Sequence, residues 1–275
     1  MQQVVKDIVA DRVRRFFNDR KRGERPVQRR NDGLLGPGSI AWKVHGDVTT
    51  MMVGGIAALL MQMLHPAVLA GVWDHSNFRH DMHGRLRRTA RFIAVTTYGS
   101  LAEAEQAIHR VSEVHRSVAG SLPDGTPYSA SDPSLLTWVH VTETYCFLEA
   151  WKRYAEPAVL LGDQDRYLIE MRAVAMRLGA VQVPASRRDM MEYLQSRQRD
   201  LNITDRTREV VALLLDPPVQ NLVFVPLQRM AAQAAVDLLP PWARRMHGLH
   251  ASTLSRPIVQ GGTLGVAGLL RWAFR

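Results

Sequence analysis

The chain has 275 residues, 46% of them hydrophobic, which is enough to bury a substantial core and excludes a disordered chain. Its formal charge is +9 and its pI about 10.3, with the excess gathered between Asp11 and Arg30 and again at Arg244, Arg245, Arg256, Arg271 and Arg275. A single cysteine, Cys146, rules out an internal disulfide and a thiolate metal cluster.

Residues 1 to 20 read as a basic amphipathic helix. Val4, Ile8, Val9 and Val13 lie on one stripe, with Phe16 and Phe17 at its end. This segment lacks the long apolar core and cleavage site of a secretory signal, so a cytoplasmic location is expected. Its basic face and the basic C-terminus would suit peripheral contact with a membrane. No zinc-finger spacing, RNA-binding aromatic signature or helix-turn-helix accompanies the charge, so no nucleic-acid partner is expected. Residues 21–38 are rich in turn formers and read as a linker.

Asp47 is placed to cap a helix through the most hydrophobic stretch of the chain. Met51 to Val72 is long enough to span a bilayer, but Gln62, His65 and Pro66 lie within it. A buried central helix is expected instead, kinked or ended by Pro66 just after His65. Residues 73–84 read as irregular, with His75, His80 and His83 on the surface. Arg85, Arg88 and Thr89 then share one helical face.

Ser100 and Glu103 form a capping box that opens a helix expected to reach Gly120. His115 lies on its apolar stripe with Leu101, Ala104, Ile108, Val111 and Val118, whereas His109 faces water. A buried histidine without a partner costs about 1–3 kcal/mol, so His115 requires one. Residues 121–133 are a connector, and Asp132 with Pro133 opens a helix to about Pro157 that carries His140 at the edge of a broad apolar side. Asp163, Ser186 and Thr204 read as caps of three further helices, and two more apolar segments follow. No strand alternation is present. The expected architecture is all-α: a basic helix and linker over 1–35, one domain of about ten helices over 36–250, and a tail over 251–275.

His65, His115 and His140 are thus three histidines in apolar helical surroundings. A haem needs a neutral imidazole, an apolar pocket and cations for its propionates. His115, the flanking apolar helices, and Arg85, Arg88 and Thr89 could supply these. No Cys-x-x-Cys-His is present, so such a haem would be non-covalent. The Glu-x-x-His pairs of a di-iron bundle and the Gly-x-Ser-x-Gly of a hydrolase are both missing.

The pieces HPAV-x-x-GV (65–72), HS-x-F (75–78), GRLRRT (84–89), V-x-x-x-H-x-x-V-x-G (111–120) and DP-x-LL-x-WVH (132–140) resemble the oxygenase family that includes rubber oxygenase (latex clearing protein) and the ER-bound MpaB-type oxygenase. The similarity runs from about Gly36 to Leu249. It implies a globin-like all-α fold holding haem b, with His115 as proximal iron ligand. It places Arg85, Arg88 and Thr89 beside the haem, with Arg88 where rubber oxygenase has a lysine, and His65 and His140 in or near the pocket. The proposed catalytic glutamate of rubber oxygenase has no counterpart upstream of Arg85, so rubber cleavage is not carried over. The function implied is that of a haem-dependent oxygenase that uses O₂ on an apolar molecule of polyketide or terpenoid type. Arg85, Arg88 and His140 are the candidate catalytic groups, and His115, Arg85, Thr89 and His65 the candidate haem-binding groups. The alternative is a non-catalytic helical protein that binds haem or a lipophile.

Overall fold

Local capping chemistry starts most of the helices. In the computed structural model, which describes residues 2–3, 6–7, 23–216, 225–251 and 256–274, the hydroxyl of Ser39 accepts from the Trp42 amide and opens α1 (Ile40–Val44). Asp47 accepts from the Thr50 amide at 2.9 Å and opens α2 (Val48–Gln62). Pro66 removes a donor and holds His65 in extended backbone, so the chain turns by 107° into α3 (Pro66–His75). Among the described residues no single helix is long and apolar enough to cross a membrane; only this bent pair passes by length and composition. The basic N-terminal helix expected from Val4, Ile8, Val9, Val13, Phe16 and Phe17 lies outside the described residues.

Asp81 caps α4 (Met82–Tyr98), and the Ser100–Glu103 capping box opens α5 (Leu101–Arg116). Two expectations need correction here. Leu101 is 47% exposed because it sits in the first turn, before the stripe reaches its packing partners. The helix also stops at Arg116 and not at Gly120. The last residues instead form β1 (Ala119–Ser121), antiparallel to β2 (Pro127–Ser129) with Gly120 opposite Tyr128. The intervening turn is built by Gly125 at φ 86° and by Asp124 accepting from the Thr126 amide. A Cβ on Gly120 would sit 2.8 Å from the Tyr128 hydroxyl oxygen, so only glycine fits opposite that ring.

Asp132 and Pro133 open α6 (Pro133–Tyr154) as expected. The next helix, α7 (Leu161–Arg177), begins two residues before Asp163, which lies in its first turn and is not the cap. There its carboxylate still complements the helix dipole. Ser186 caps α8 (Arg187–Ser196), which runs into a 3₁₀ turn over Arg197–Asp200, and Thr204 caps α9 (Asp205–Leu215). Then follow α10 (Val225–Leu238), α11 (Pro241–His247), ended by Gly248 in left-handed backbone, and α12 (Arg256–Phe274). The fold is all-α apart from the small hairpin.

The antiparallel pair of long apolar helices, α2 and α6, forms the axis and packs most extensively. Gly54 permits this: a Cβ there would lie 2.8 Å from Phe147 Cδ1 and 3.0 Å from the Cys146 carbonyl oxygen. On one side α10 and α12 lean on α2, while α7 and α8 lean on α6. The hairpin of α4 and α5 packs on itself and on α1, and makes no extended contact with α2 or α6. The C-terminal α12 joins the body of the fold. Arg271 on it pairs with Asp47 and donates to the Tyr154 carbonyl at 2.7 Å.

Candidate active site

Several side chains of the α2/α6 pair are only partly covered by protein atoms. On α2 these are Met52, Gly55, Ile56 and Leu59, spaced as one helical stripe and wholly apolar. On α6 they are Val139, His140 and Glu143, each among fully buried neighbours such as Trp138, Val141 and Thr142, whereas Leu136 packs against Ala175, Ala180 and Val183. Phe147, one further turn along α6, lies 3.8 Å from where a Gly55 Cβ would be, so the two stripes adjoin.

The electrostatics place His140 and Glu143 deep in the molecule. Burial pushes the His140 imidazole down to about 4 and the Glu143 carboxyl up to about 7. Both side chains are half covered by protein. The sequence reading missed Glu143. The available signal was a single acidic residue three positions after His140 on an apolar helix, which puts both on one face.

Arg85 lies on α4. It donates to Ser76 Oγ at 2.9 Å, and Ser76 donates in turn to the Val72 carbonyl. Among the described residues no carboxylate pairs with it. Desolvation, with the neighbouring Arg88 second, lowers it to about 10, so it remains a cation at neutral pH. A void of about 10 Å³ beside it is lined by Leu59 and Met63, by Val72 and Phe78, and by Val210 and Leu214 of α9. Arg88 and Thr89 are on the same side of α4 but exposed. Arg88 pairs with Asp81 at 3.5 Å, and Thr89 donates back to the Arg85 carbonyl.

His115 is half-buried in the last turn of α5, where Val118 meets Gly71 of α3. Its Nδ1 is buried and has no hydrogen-bond partner. Desolvation lowers its pKa, so the ring is neutral at neutral pH and keeps a free lone pair. His109 on the same helix is exposed and lies 3.6 Å from Glu113.

His65 lies elsewhere. It precedes Pro66 at the α2–α3 break, 6.2 Å from the ring of Trp138, with its Nδ1 buried and unpartnered. Desolvation lowers its pKa, and Asp200, Arg197 and Asp132 act on it next. Those neighbours put it by the N-terminus of α6 and the 3₁₀ turn. Trp138 and His140 are two positions apart on a helix and so point to nearly opposite sides. The structure thus places His140 and Glu143 on one face of α6, Arg85 beside Leu59 and Met63, His115 in the last turn of α5, and His65 against Trp138 at the α2–α3 break.

A further buried group escaped the sequence. His45, just after α1, joins Thr97 Oγ1 at 2.8 Å and Tyr167 Oη at 3.0 Å, tying α4 to α7. Burial pushes it down to about 3. The Tyr167 hydroxyl is pushed well up, first by burial and then by the charge of Glu143. Nothing in the local sequence IAWKVHGD marks this contact, because both partners lie far along the chain.

No group of three or more His, Cys, Asp or Glu is arranged to hold a bare metal ion among the described residues. A search of curated proteins and a search of solved structures each gave no match. The model of one family does match, described as ER-bound oxygenase mpaB/B'/Rubber oxygenase, catalytic domain, over residues 42–273. That span takes in the axis, the hairpin and α12, and the chain therefore belongs to the mpaB/rubber oxygenase family.

Proposed function

We propose that the protein is a haem b-dependent oxygenase that acts on an apolar organic molecule, with His115 as the proximal iron ligand. The observation that carries this is the buried, unpartnered Nδ1 of a neutral His115 in the last turn of α5. The residues fit the group. A haem asks for one axial imidazole, an apolar face for the macrocycle and cations for two propionates. His115, the stripe Met52, Gly55, Ile56 and Leu59, and the unpaired Arg85 match those needs, with Arg88 and Thr89 nearer the solvent. Bound haem would supply the activation of O₂ that an oxygenase needs. The chain's own part is to exclude water with α2, to hold a carboxylate with Arg85, and to offer His140 as a neutral hydrogen-bond acceptor. Arg88 is always charged and would be a poor iron ligand.

Protein purified from haem-supplemented cells should carry a Soret band that His115→Ala shifts or abolishes while the fold persists by circular dichroism. An unaltered spectrum in that variant removes His115 as the ligand. Oxygen uptake with apolar alkenes, sterols or polyketides separates an oxygenase from a protein that only binds haem.

A further inference from the structure

Arg172 on α7 is a half-buried cation without a counterion. Its Nε is buried and has no hydrogen-bond partner. Among the described residues no carboxylate pairs with it, whereas Arg166 and Arg177 on the same helix pair with Glu170 and Glu105. A guanidinium drawn out of water without a partner is unfavourable until an anion reaches it. Tyr193 on α8 is in the same position, with its hydroxyl buried and unbonded. Burial raises its pKa, so the phenol keeps its proton at neutral pH and can donate.

Both residues line one pocket of about 560 Å³ between α7 and α8. That size falls within the usual range of small-molecule sites, about 300–1,000 Å³. Its apolar wall is Val183, Pro184 and Ala185, on the segment that joins the two helices. Gln182 precedes them and also lines the pocket, in left-handed backbone at φ 50° that a residue with a Cβ adopts at a cost. Ile169 and Met176 lie three positions before and four after Arg172, so they flank it on the surface of α7. They are 56% and 54% exposed, which sets the guanidinium in an apolar surround.

The other charges nearby already have partners. Asp189 and Glu192 line the pocket from α8, are exposed, and lie 3.7 and 3.5 Å from Arg188. Arg197 stands over the Tyr193 ring at 5.2 Å and pairs with Asp200 at 3.4 Å. Arg172 is thus the unpaired charge among the lining residues, with two carboxylates at the rim.

We propose that this pocket is a ligand site, separate from the proposed haem site, for a monocarboxylate with an apolar body. It shares no lining residue with the haem-binding set and does not rest on that reading. The carboxylate accepts from the planar fork of Arg172 and from the Tyr193 hydroxyl, each brought onto it by a small side-chain rotation. The apolar body covers Val183, Pro184 and Ala185. Asp189 and Glu192 repel further negative charge, so the site discriminates against a dianion such as inorganic phosphate.

The test is isothermal titration calorimetry on the purified full chain with octanoate, octan-1-ol and inorganic phosphate as probes. Octanoate should bind the wild type with a Kd below about 1 mM, and the other two at least about tenfold more weakly. Arg172→Gln should weaken octanoate by at least about tenfold, and Arg172→Lys by less, because an ammonium keeps the charge and loses the fork. Tyr193→Phe should weaken it by about threefold to tenfold, the loss of one hydrogen bond. Ala185→Trp fills the pocket from its apolar wall and should abolish binding. Absence of octanoate binding, equal affinity in wild type and Arg172→Gln, or phosphate bound as tightly as octanoate overturns the proposal. So does octanoate binding that survives Arg172→Gln and is lost in His115→Ala, since that places it at the haem site. Arg172→Gln should leave the absorption spectrum of the preparation as it is in the wild type, and a shifted Soret band would refute the separation of the two sites. If Arg172→Gln does not fold, Arg172→Lys and Ala185→Trp decide the question.

Discussion

Two buried titratable residues give opposite pH signatures, and each can be checked by stability alone. His45 has its folded pKa lowered to about 3, below the ordinary 6.5. Its unfolded form binds a proton first as the pH falls, so its contribution is complete above pH 6.5 and is lost on acidification towards 3. Urea unfolding of the wild type should therefore weaken by up to about 1.4 kcal/mol per pH unit through this group alone. His45→Gln should start less stable and show a shallower acid slope; an unchanged slope would show that His45 is not sequestered. Glu143 is the reverse case. Its folded pKa is raised from 4.5 to about 7, so the folded state holds its proton more tightly and stability falls as pH rises through that window. Glu143→Gln cannot ionise and should match the wild type at pH 4 but exceed it at pH 8 by up to about 3 kcal/mol. A residue that costs stability when ionised is common at functional sites. Of the site groups, His115 and His140 were legible as histidines on apolar helices. Glu143 was legible only as a spacing, since the burial that raises its pKa depends on the helices packed around α6.

At the scale of elements, the contact between α2 and α6 decides the shape of the axis. Helix propensity favours alanine over glycine by about 1 kcal/mol, so Gly54→Ala would help an isolated helix. In the fold the added methyl would meet Phe147 Cδ1 at 2.8 Å and backbone oxygen at 3.0 Å. Backbone cannot retreat as a side-chain tip can, and overpacking of this kind costs about 1–3 kcal/mol. Gly54→Ala is expected to lower the denaturation midpoint, whereas Gly55→Ala, whose Cβ would have only Phe147 Cε1 at 3.8 Å, should be neutral or stabilising. Equal effects at the two positions would contradict the packing described. The caps of α2, α5, α6, α8 and α9 were all readable from Asp47, Ser100, Asp132, Ser186 and Thr204, because capping is local chemistry. The start of α7 was not. Leu160 has no side-chain cap bond to announce it, and Asp163 imitates a cap from inside the first turn.

At the scale of the whole molecule, α12 is held to the axis by Arg271, which pairs with the same Asp47 that caps α2. Asp47→Ala should therefore cost more than the roughly 1 kcal/mol of a lost cap, since it also strands a half-buried cation. A double-mutant cycle with Arg271→Ala measures the coupling, and strict additivity would mean that the Asp47–Arg271 pair contributes nothing. The sequence by itself determined the helical class, most helix starts, the break at Pro66 and the family likeness. These rest on periodicity, capping and proline geometry, all of which act within about a turn or two of chain. The tertiary structure decided the rest. It turned 119–129 into a hairpin, packed α12 onto α2, set His65 against Trp138 and joined His45 to Thr97 and Tyr167. Those outcomes depend on which faces of distant helices are covered and which are left open. No local pattern specifies that, because coverage is a property of the partner as much as of the residue.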